Sequence, residues 1–347
     1  MDSYSEEWDD EQADGALYEH FRFTADRGQT LLRVDKFLTD RMPAGATRNR
    51  VQLAADAGFI LVNGLPVKSS YRVKPLDVVS VVMTRPPREM EIVPEDIPLH
   101  IIYEDADLLV VDKPAGMVVH PGHGNYTGTL VNALAWYLKD DPSFDPSDPR
   151  LGLVHRIDKD TSGLLVIAKK PEAKTSLGLQ FFRKTSRRAY LALVWGIIRE
   201  DEGRIEGHIG RDTRDRLQMK VYPDGEQGKP AATRYTVLER LGYVTLTECR
   251  LETGRTHQIR AHMKYIGHPL FNDERYGGDG ILKGSPFTRY KQFVQNCFAV
   301  CPRQALHART LGFVHPSTGQ EMFFESPCPS DMEQLIEKWR TYSNTKE

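Results

Sequence analysis

Residues 152–170 read GLVHRIDKDTSGLLVIAKK and combine a charged turn with an apolar run. The run at residues 164–168 predicts a buried β-strand, and the polar residues before it predict a tight turn. Asp158 lies in that turn between Arg156 and Lys159, where a rigid fold can hold a reactive carboxylate. An ordinary Asp-rich turn capped by Thr161 and Ser162 is the alternative, and it is the better interpretation of such a turn on its own.

A second dense block makes a functional site the stronger interpretation. Residues 254–262 read GRTHQIRAH, far downstream of Asp158. Together the two blocks resemble the His-Arg-Leu-Asp and Gly-Arg-Thr-His-Gln-Ile-Arg motifs of the RluA-type family of RNA pseudouridine synthases, with Ile157 in place of the usual Leu. The resemblance covers roughly residues 99–330 and includes EDADLLVVDKPAG at 104–116. The segment VHPG at 119–122 most resembles the branch that acts on the large ribosomal subunit.

The resemblance implies a role for each of several side chains. Asp158 matches the catalytic nucleophile, and Arg255 matches the cation that pairs with it and keeps it ionised. Tyr190 matches a tyrosine that packs on the target base and helps to move its proton. Arg156 matches the residue that enters the RNA stack after the uridine is flipped out, and His155 orients the loop. Arg187 and Arg188 are expected to contact the RNA backbone, with a solvated helix face as the alternative.

Residues 31–82 form a separate pattern of two short helices and several strands. The second helix begins after Thr47 as its N-cap and ends at Gly58, and Asn63-Gly64 predicts a hairpin turn. This order resembles the S-four-type RNA-binding domain. Residues 31–81 carry eight basic and four acidic groups, which suit a phosphate backbone better than a merely solvated surface. The expected RNA contacts in this domain are Arg33, Arg48, Arg50 and Lys68.

The organisation that follows is α+β, with a small RNA-binding domain before a catalytic domain built on a mixed or antiparallel sheet. Four prolines at residues 83–98 predict a linker, residues 99–330 the catalytic domain, and residues 331–347 a C-terminal helix or tail. Strands are expected at 108–111, 164–168, 190–194 and 244–251. Helices are expected at 129–138, 172–182 and 257–266.

Charge along the chain supports RNA as the partner. The 347 residues have a net charge of −2, but residues 1–20 carry eight acids and no Lys or Arg, which predicts a disordered tail. The remaining 46 basic and 40 acidic groups leave a body of +6. No apolar run reaches the length of a membrane span, and the four cysteines are irregularly spaced, so we expect a monomeric cytoplasmic protein with reduced thiols.

We expect no cofactor and no metal. The spacing of Cys297, Cys301 and His307 offers one cysteine pair without a second, which is weak for zinc. Two rival functions remain. One is a non-catalytic RNA-binding or ribosome-assembly protein, and the other is a nucleoside hydrolase that uses Asp158 with Glu252.

Overall fold

The structure, a computed structural model, describes residues 18–42, 47–83, 92–121, 125–144, 148, 150–215 and 218–345. It divides the chain into two compact units, Met1–Glu91 and Ile92–Glu347. The expected acidic tail lies outside the described residues, except for residues 18–20, which begin a strand. Among the described residues, no helix is both long and apolar enough to span a membrane.

The first unit packs two helices on a four-stranded antiparallel sheet of order β1-β6-β3-β4, with β2 and β5 as a separate pair. Its elements are β1 (Tyr18–Thr24), β2 (Leu32–Arg33), α1 (Val34–Thr39), α2 (Arg48–Asp56), β3 (Ile60–Val62), β4 (Leu65–Pro66), β5 (Arg72–Val73) and β6 (Val78–Met83). Thr47 caps α2 by accepting a hydrogen bond from the backbone N–H of Arg50. Asn63 and Gly64 both have positive φ, as a two-residue hairpin between β3 and β4 requires.

Strand β1 is the part of this unit that the sequence pattern misses, because it precedes residue 31. It pairs with β6 along its whole length, so the unit begins before the predicted boundary. Phe21 and Phe23 of β1 pack on a core built around Phe37 and Val79. The unit therefore has its own buried core.

The second unit is built on a ten-stranded sheet of order β12-β11-β13-β14-β10-β15-β9-β8-β7, with β16 paired to β15. Only the β9–β15 pair is parallel among the described pairings, which confirms the predicted α+β class with a mixed sheet. Its strands are β7 (Ile101–Glu104), β8 (Leu108–Lys113), β9 (Ser162–Ala168), β10 (Arg187–Trp195), β11 (Glu202–Arg211), β12 (Met219–Tyr222), β13 (Lys229–Leu241), β14 (Val244–Leu251), β15 (Leu306–Val314) and β16 (Glu321–Glu325). Its helices are α3 (Leu130–Tyr137), α4 (Pro171–Arg183), α5 (Gln258–Tyr265), α6 (Thr288–Val300) and α7 (Ser330–Asn344), with a 3-10 helix at Glu274–Tyr276.

The central strand β10 has helices on both faces, and its alternating side chains divide between two cores. Tyr190 and Val194 join a cluster with residues of α3 and α5, while Leu193 and Trp195 join a cluster with residues of α6 and α7. The face that carries Tyr190 also carries Ile157 of the Asp158 turn. The alternation of β10 thus directs Tyr190 toward that turn.

Both ends of the second unit extend beyond the predicted catalytic domain. Residues 84–91 of the expected linker lie outside the described residues. The backbone of Glu95 donates to the carbonyl of Asn132 in α3, whose side chain donates to the carbonyl of Val93, so residues 92–98 pack on this unit. At the other end, Leu335 and Trp339 of α7 are fully buried. Helix α7 is therefore part of the core rather than a tail.

Candidate active site

Asp158 lies in a loop at residues 155–161, called here the Asp158 loop, which leads directly into β9. The carbonyl of Asp158 accepts from the backbone N–H of Thr161, which closes a tight turn. Just beyond it, Gly163 has φ +118°, and a Cβ there would lie 2.3 Å from the carbonyl oxygen of Ala308. Glycine is thus required where β9 pairs closely with β15, directly after the Asp158 loop.

A buried lysine holds the Asp158 loop from one side. The ammonium of Lys113 donates to the carbonyls of Pro114, Met117 and Lys159 at 2.7, 2.8 and 3.0 Å. The backbone N–H of Gly116 donates to the same Lys159 carbonyl at 2.9 Å. The DKPAG segment that the sequence singled out therefore supports the loop.

The cation that pairs with Asp158 is Arg260. Its Nη1 lies 3.0 Å from Oδ2 of Asp158, while Nε and Nη2 hold both oxygens of Asp273 at 2.7 and 2.8 Å. The Asp273 side chain is fully buried and that of Arg260 is 7% exposed. Two carboxylates thus share one guanidinium, whose plane is fixed by the bidentate contact to Asp273.

The predicted pairing of Arg255 with Asp158 is wrong in this structure. Arg255 precedes α5, and its Nε donates to the carbonyl of Pro230 at 3.1 Å. His257 has φ +51° and turns the chain into α5, so that Arg260, in the first turn of the helix, projects inward. The sequence offers both arginines within one motif, and a backbone turn between them decides which reaches the carboxylate.

Two residues that the sequence analysis did not select complete the surroundings of Asp158. Nε2 of His257 lies 3.9 Å from Oδ1 of Asp158, and its Nδ1 lies 3.0 Å from the hydroxyl of Tyr276. The guanidinium of Arg260 lies 4.8 Å from the centre of the Tyr276 ring, within cation–π distance. His257 is inside the quoted motif, whereas Tyr276 and Asp273 belong to a segment without a sequence signal of its own.

The charges around Asp158 favour its ionised form. Burial by itself raises the pKa of this carboxyl, but the charges of His257 and Arg260 and the hydrogen bond from Arg260 outweigh burial and lower the pKa below its ordinary value. The side chain is 19% exposed, so the carboxylate keeps a path to the surface. An ionised, partly desolvated carboxylate is the form that can act as a nucleophile or a base.

Tyr190 is in the same part of the unit and is 6% exposed. Burial raises the pKa of its phenol, and the charge of Asp158 adds to this although Arg188 opposes it. Its hydroxyl is therefore protonated at neutral pH. This part of the unit thus holds a phenol that can donate a proton and a carboxylate that can accept one.

His155 and Arg188 share the ring of Phe181. The imidazole stacks on it at 4.3 Å between ring centres, and the guanidinium carbon of Arg188 lies 5.1 Å from the same centre. Nε2 of His155 accepts from the backbone N–H of Val166 at 3.1 Å, so the proton of the neutral ring is on Nδ1. Burial first, and then the charge of Arg188, lower the pKa of His155 to about 3.

Two buried donors at this place lack an acceptor. Among the described residues, Nδ1 of His155 and Nε of Arg188 have no hydrogen-bond partner. Arg188 also approaches the second motif, because a Cβ at Gly254 would lie 3.3 Å from its Nη1. Buried donors without partners are uncommon in native proteins, so these two atoms set this place apart from the rest of the core.

The other predicted RNA contacts differ in exposure and in the ion pairs that they form. Arg156 is exposed next to Asp158, whereas Arg187 pairs with Glu321 on the neighbouring edge of the sheet. In the first unit, Arg33 and Arg48 both contact the buried carboxylate of Asp35. These two side chains are 41% and 56% exposed, so each also presents surface to solvent. Lys68 is exposed, and Arg50 is half-buried in the first turn of α2.

The carboxylate proposed as Asp158's partner in a hydrolase is committed to arginines. Glu252 contacts Arg204 at 2.7 Å and Arg234 at 2.6 Å. The hydrogen bond from Arg204 is the main cause that lowers the pKa of Glu252 to about 2. An acid of that strength cannot protonate a leaving group at neutral pH, so the structure does not support the hydrolase alternative.

Among the described residues, three potential ligands gather closely enough to hold a metal, namely Asp105, Asp107 and His315. Protein donors already use their atoms. Nε2 of His315 lies 2.7 Å from Oδ2 of Asp105, and Lys170 lies 2.7 Å from Oδ1 of Asp107. Cys297 and Cys301 lie in the core beneath α7, and Nδ1 of His307 lies 3.0 Å from the hydroxyl of Ser162.

Comparison with known proteins adds the family context of this site. A family model described as RNA pseudouridylate synthase matches residues 107–265, and the S4 domain model matches residues 32–79. The chain is 48% identical over 315 residues to an RNA pseudouridine synthase of Chlorobaculum parvum described as uncharacterized, covering 90% of this chain and 95% of that one.

A second relative and a solved structure agree with this match. The ribosomal large subunit pseudouridine synthase D of Nitrosomonas europaea is 42% identical over 309 residues, covering 89% of this chain and 85% of that one. Among solved structures, human RNA pseudouridylate synthase domain containing 1 has a TM-score of 0.50 and 26% identity, covering 73% of this chain and 97% of that one.

Proposed function

This chain belongs to the RNA pseudouridine synthase family, and we propose that it isomerises specific uridines of large-subunit ribosomal RNA with Asp158 as the catalytic carboxylate. The family and the S-four-type domain predicted from the sequence are confirmed. The activity is therefore that of an RNA isomerase. The substrate and the roles of individual residues are the proposal.

The ionised state of Asp158 carries the assignment. Pseudouridine formation breaks the bond between uracil N1 and ribose C1′, turns the base and joins C5 to C1′. The proton lost from C5 is balanced by one gained at N1, so the product is an isomer of the substrate. An Asp carboxylate is a weak nucleophile in water, so its effect must come from fixed position and partial desolvation. Asp158, at 19% exposure and 3.0 Å from Arg260, has both properties.

Tyr190 is the second catalytic residue that we propose. Its ring is buried on the face that carries Ile157, which supports a role in packing against a base held at Asp158. Its pKa is raised, so the hydroxyl keeps its proton and can exchange it only in concert with the base. The neutral phenol thus suits proton movement at the C5 position better than permanent charge stabilisation.

The role that we propose for Arg156 is in base flipping. A uridine inside a structured RNA cannot reach a loop carboxylate unless it leaves the stack, which costs about a few kcal/mol. Arg156 is exposed two residues before Asp158, so its planar guanidinium can enter the vacancy that the uridine leaves. Because Arg156 and Asp158 are only two residues apart, flipping of the uridine would be linked to its capture by the carboxylate.

Arg188 is a further RNA contact in this proposal. Its guanidinium, held over the Phe181 ring next to His155, suits a backbone phosphate better than a base carbonyl. Arg187 extends the basic surface along the same strand. In the first unit, we propose that the RNA phosphates are contacted by Arg33, Arg48, Arg50 and Lys68.

The choice of large-subunit ribosomal RNA rests on the name of the Nitrosomonas europaea relative and on the presence of an S4 domain. Such a substrate is cytoplasmic in bacteria. A monomer would suffice, because one chain carries both the S4 domain and the residues around Asp158. The non-catalytic alternative has no support beyond the fold.

The test is single-turnover conversion of large-subunit ribosomal RNA at saturating enzyme. Asp158→Asn should abolish pseudouridine while RNA affinity stays within a few-fold, because the amide keeps the shape and loses the charge. Tyr190→Phe should bind equally well and convert slowly. Turnover by Asp158→Asn near that of the parent would contradict the assignment, and so would release of free uracil.

A further inference from the structure

We propose that Arg303 and Asp331 are positioning residues, through which the C-terminal helix α7 holds the Asp158 loop in its reactive geometry. This inference rests on the proposed catalytic role of Asp158. Both residues lie beyond residues 107–265, the range that the family model matches. Helix α7 would then contribute to catalysis by positioning the Asp158 loop.

Arg303 joins the far side of the Asp158 loop to the start of β15. Its Nη1 donates to the carbonyl of Asp160 at 3.0 Å and to that of Leu306 at 3.0 Å. Its Nη2 lies 3.3 Å from the hydroxyl of Ser162, where β9 begins. The side chain is only 8% exposed, so these contacts are shielded from solvent.

Asp331 fixes the orientation of Arg303. Its two carboxylate oxygens accept from Nε at 2.7 Å and from Nη2 at 3.0 Å, which is the bidentate arrangement that locks a guanidinium plane. Asp331 is in the first turn of α7, where a negative charge is favoured by the helix dipole. The backbone N–H of Met332 donates to the same carboxylate, so the helix terminus orients it.

The loop has need of such support. Residues 155–161 contain no helix and no strand, and the contact of Lys113 with this loop is to the carbonyl of Lys159. Catalytic groups must be held within about 0.5 Å, and a displacement of about 1 Å can reduce the rate by about a hundredfold. Arg303 holds the next carbonyl along, that of Asp160, from the side of α7. Loss of its orientation should therefore slow the chemistry without weakening RNA binding.

The same helix provides a matched control at its other end. Arg340 donates from Nε and Nη2 to Oε2 of Glu239 at 2.9 and 2.8 Å, which attaches the last turns of α7 to β13. This pair also anchors α7, but among the described residues it does not contact the Asp158 loop. Glu239→Gln should disturb the helix anchor alone.

The experiment compares Asp331→Asn, Asp331→Glu and Glu239→Gln in the full chain. Single-turnover rate at saturating RNA, RNA affinity and Tm are measured, with rates taken well below every Tm. Asp331→Asn should be about 10- to 100-fold slower at unchanged affinity, Asp331→Glu should recover part of that loss, and Glu239→Gln should match the parent.

Two results would overturn the inference. One is a rate for Asp331→Asn within twofold of the parent. The other is an equal slowing of Asp331→Asn and Glu239→Gln that follows their loss of Tm, which would mean general loosening of α7. Should Asp331→Asn fail to fold, Arg303→Lys takes its place, because lysine keeps the charge but cannot hold the Asp160 carbonyl and both oxygens of Asp331 together. A folded Arg303→Lys enzyme with the parental rate would refute the positioning role.

Asp158→Asn in the same assay separates this inference from the proposed function. If Asp158→Asn turns over normally, the catalytic assignment itself is wrong. If Asp158→Asn is inactive while Asp331→Asn is fully active, only the role of Arg303 and Asp331 is refuted.

Discussion

Replacing Arg260 should change the pH at which the enzyme loses activity, because Arg260 keeps Asp158 ionised. At 3.0 Å, the charge–charge attraction is about 5 kcal/mol for an effective dielectric constant of about 20. Solvent reaches the 19% exposed carboxylate and reduces this, so we expect the pKa shift of about 1–3 units that an adjacent arginine typically produces. That range corresponds to about 1.4–4 kcal/mol.

The sign follows from the active form. Asp158 works as a carboxylate, and Arg260 lowers its pKa, so removing Arg260 raises that pKa and activity is lost at a higher pH on acidification. The acid limb of the single-turnover rate should move up by about 1–3 pH units in Arg260→Gln. Arg260→Lys keeps a charge and should shift less.

Arg255→Gln is the matched control, because Arg255 donates to the carbonyl of Pro230 and the acid limb should stay in place. In Arg260→Gln, the fully buried Asp273 would lose its partner, which can cost about 3–5 kcal/mol of stability. The double variant Arg260→Gln with Asp273→Asn removes that buried charge and keeps the test usable. An acid limb that moves in Arg255→Gln and stays in Arg260→Gln would refute the reasoning.

Three further predictions follow from burial, backbone geometry and the division of the chain. Burial lowers the pKa of His155 to about 3 and that of His262 to about 4, from an ordinary value of 6.5. Between pH 6.5 and these values only the unfolded state binds the two protons, so the free energy of unfolding should fall by about 2 kcal/mol per histidine from pH 7 to pH 5. Denaturant midpoints should show this fall, and it should be smaller in His262→Gln. Gly163→Ala should lower Tm and slow turnover, because its Cβ would overlap the Ala308 carbonyl; an unchanged Tm would contradict the close approach. Deleting residues 1–91 should leave a folded catalytic unit that binds RNA with a shallower salt dependence, and an unchanged slope would mean that the S4 domain does not touch RNA.

Local patterns predicted about half of the elements, and strands β7, β11, β12, β13, β15 and β16 and helix α6 were not predicted. The apolar run before Lys169 is β9, and Thr47 caps α2 as its residue type predicts. Strand β1 could not be found in the same way, because its identity depends on pairing with β6, sixty residues away in the chain, and not on a distinctive pattern of its own. Helix α7 has a local pattern, because its buried residues at 332, 335, 336 and 339 follow helical spacing, but the packing of that face on β10 depends on residues distant in sequence.

The residues of the site also differ in whether the sequence alone could identify them. Asp158 stands in a recognisable motif, whereas Tyr190 was selected by the family resemblance alone. The choice between Arg255 and Arg260 depends on one positive φ at His257, which sequence alone does not reveal. Asp273 and Arg303 act through contacts across long separations in sequence, so only the folded chain brings them to the Asp158 loop.

The most direct test of the central claim is a pseudouridine map of large-subunit ribosomal RNA from cells that carry Asp158→Asn in place of the parent gene. The variant protein should accumulate to the parental level, since the substitution preserves shape. We predict that one or more uridines of that RNA lose their modification completely while all other pseudouridines persist. A map identical to that of the parent strain would contradict the claim that Asp158 modifies large-subunit ribosomal RNA.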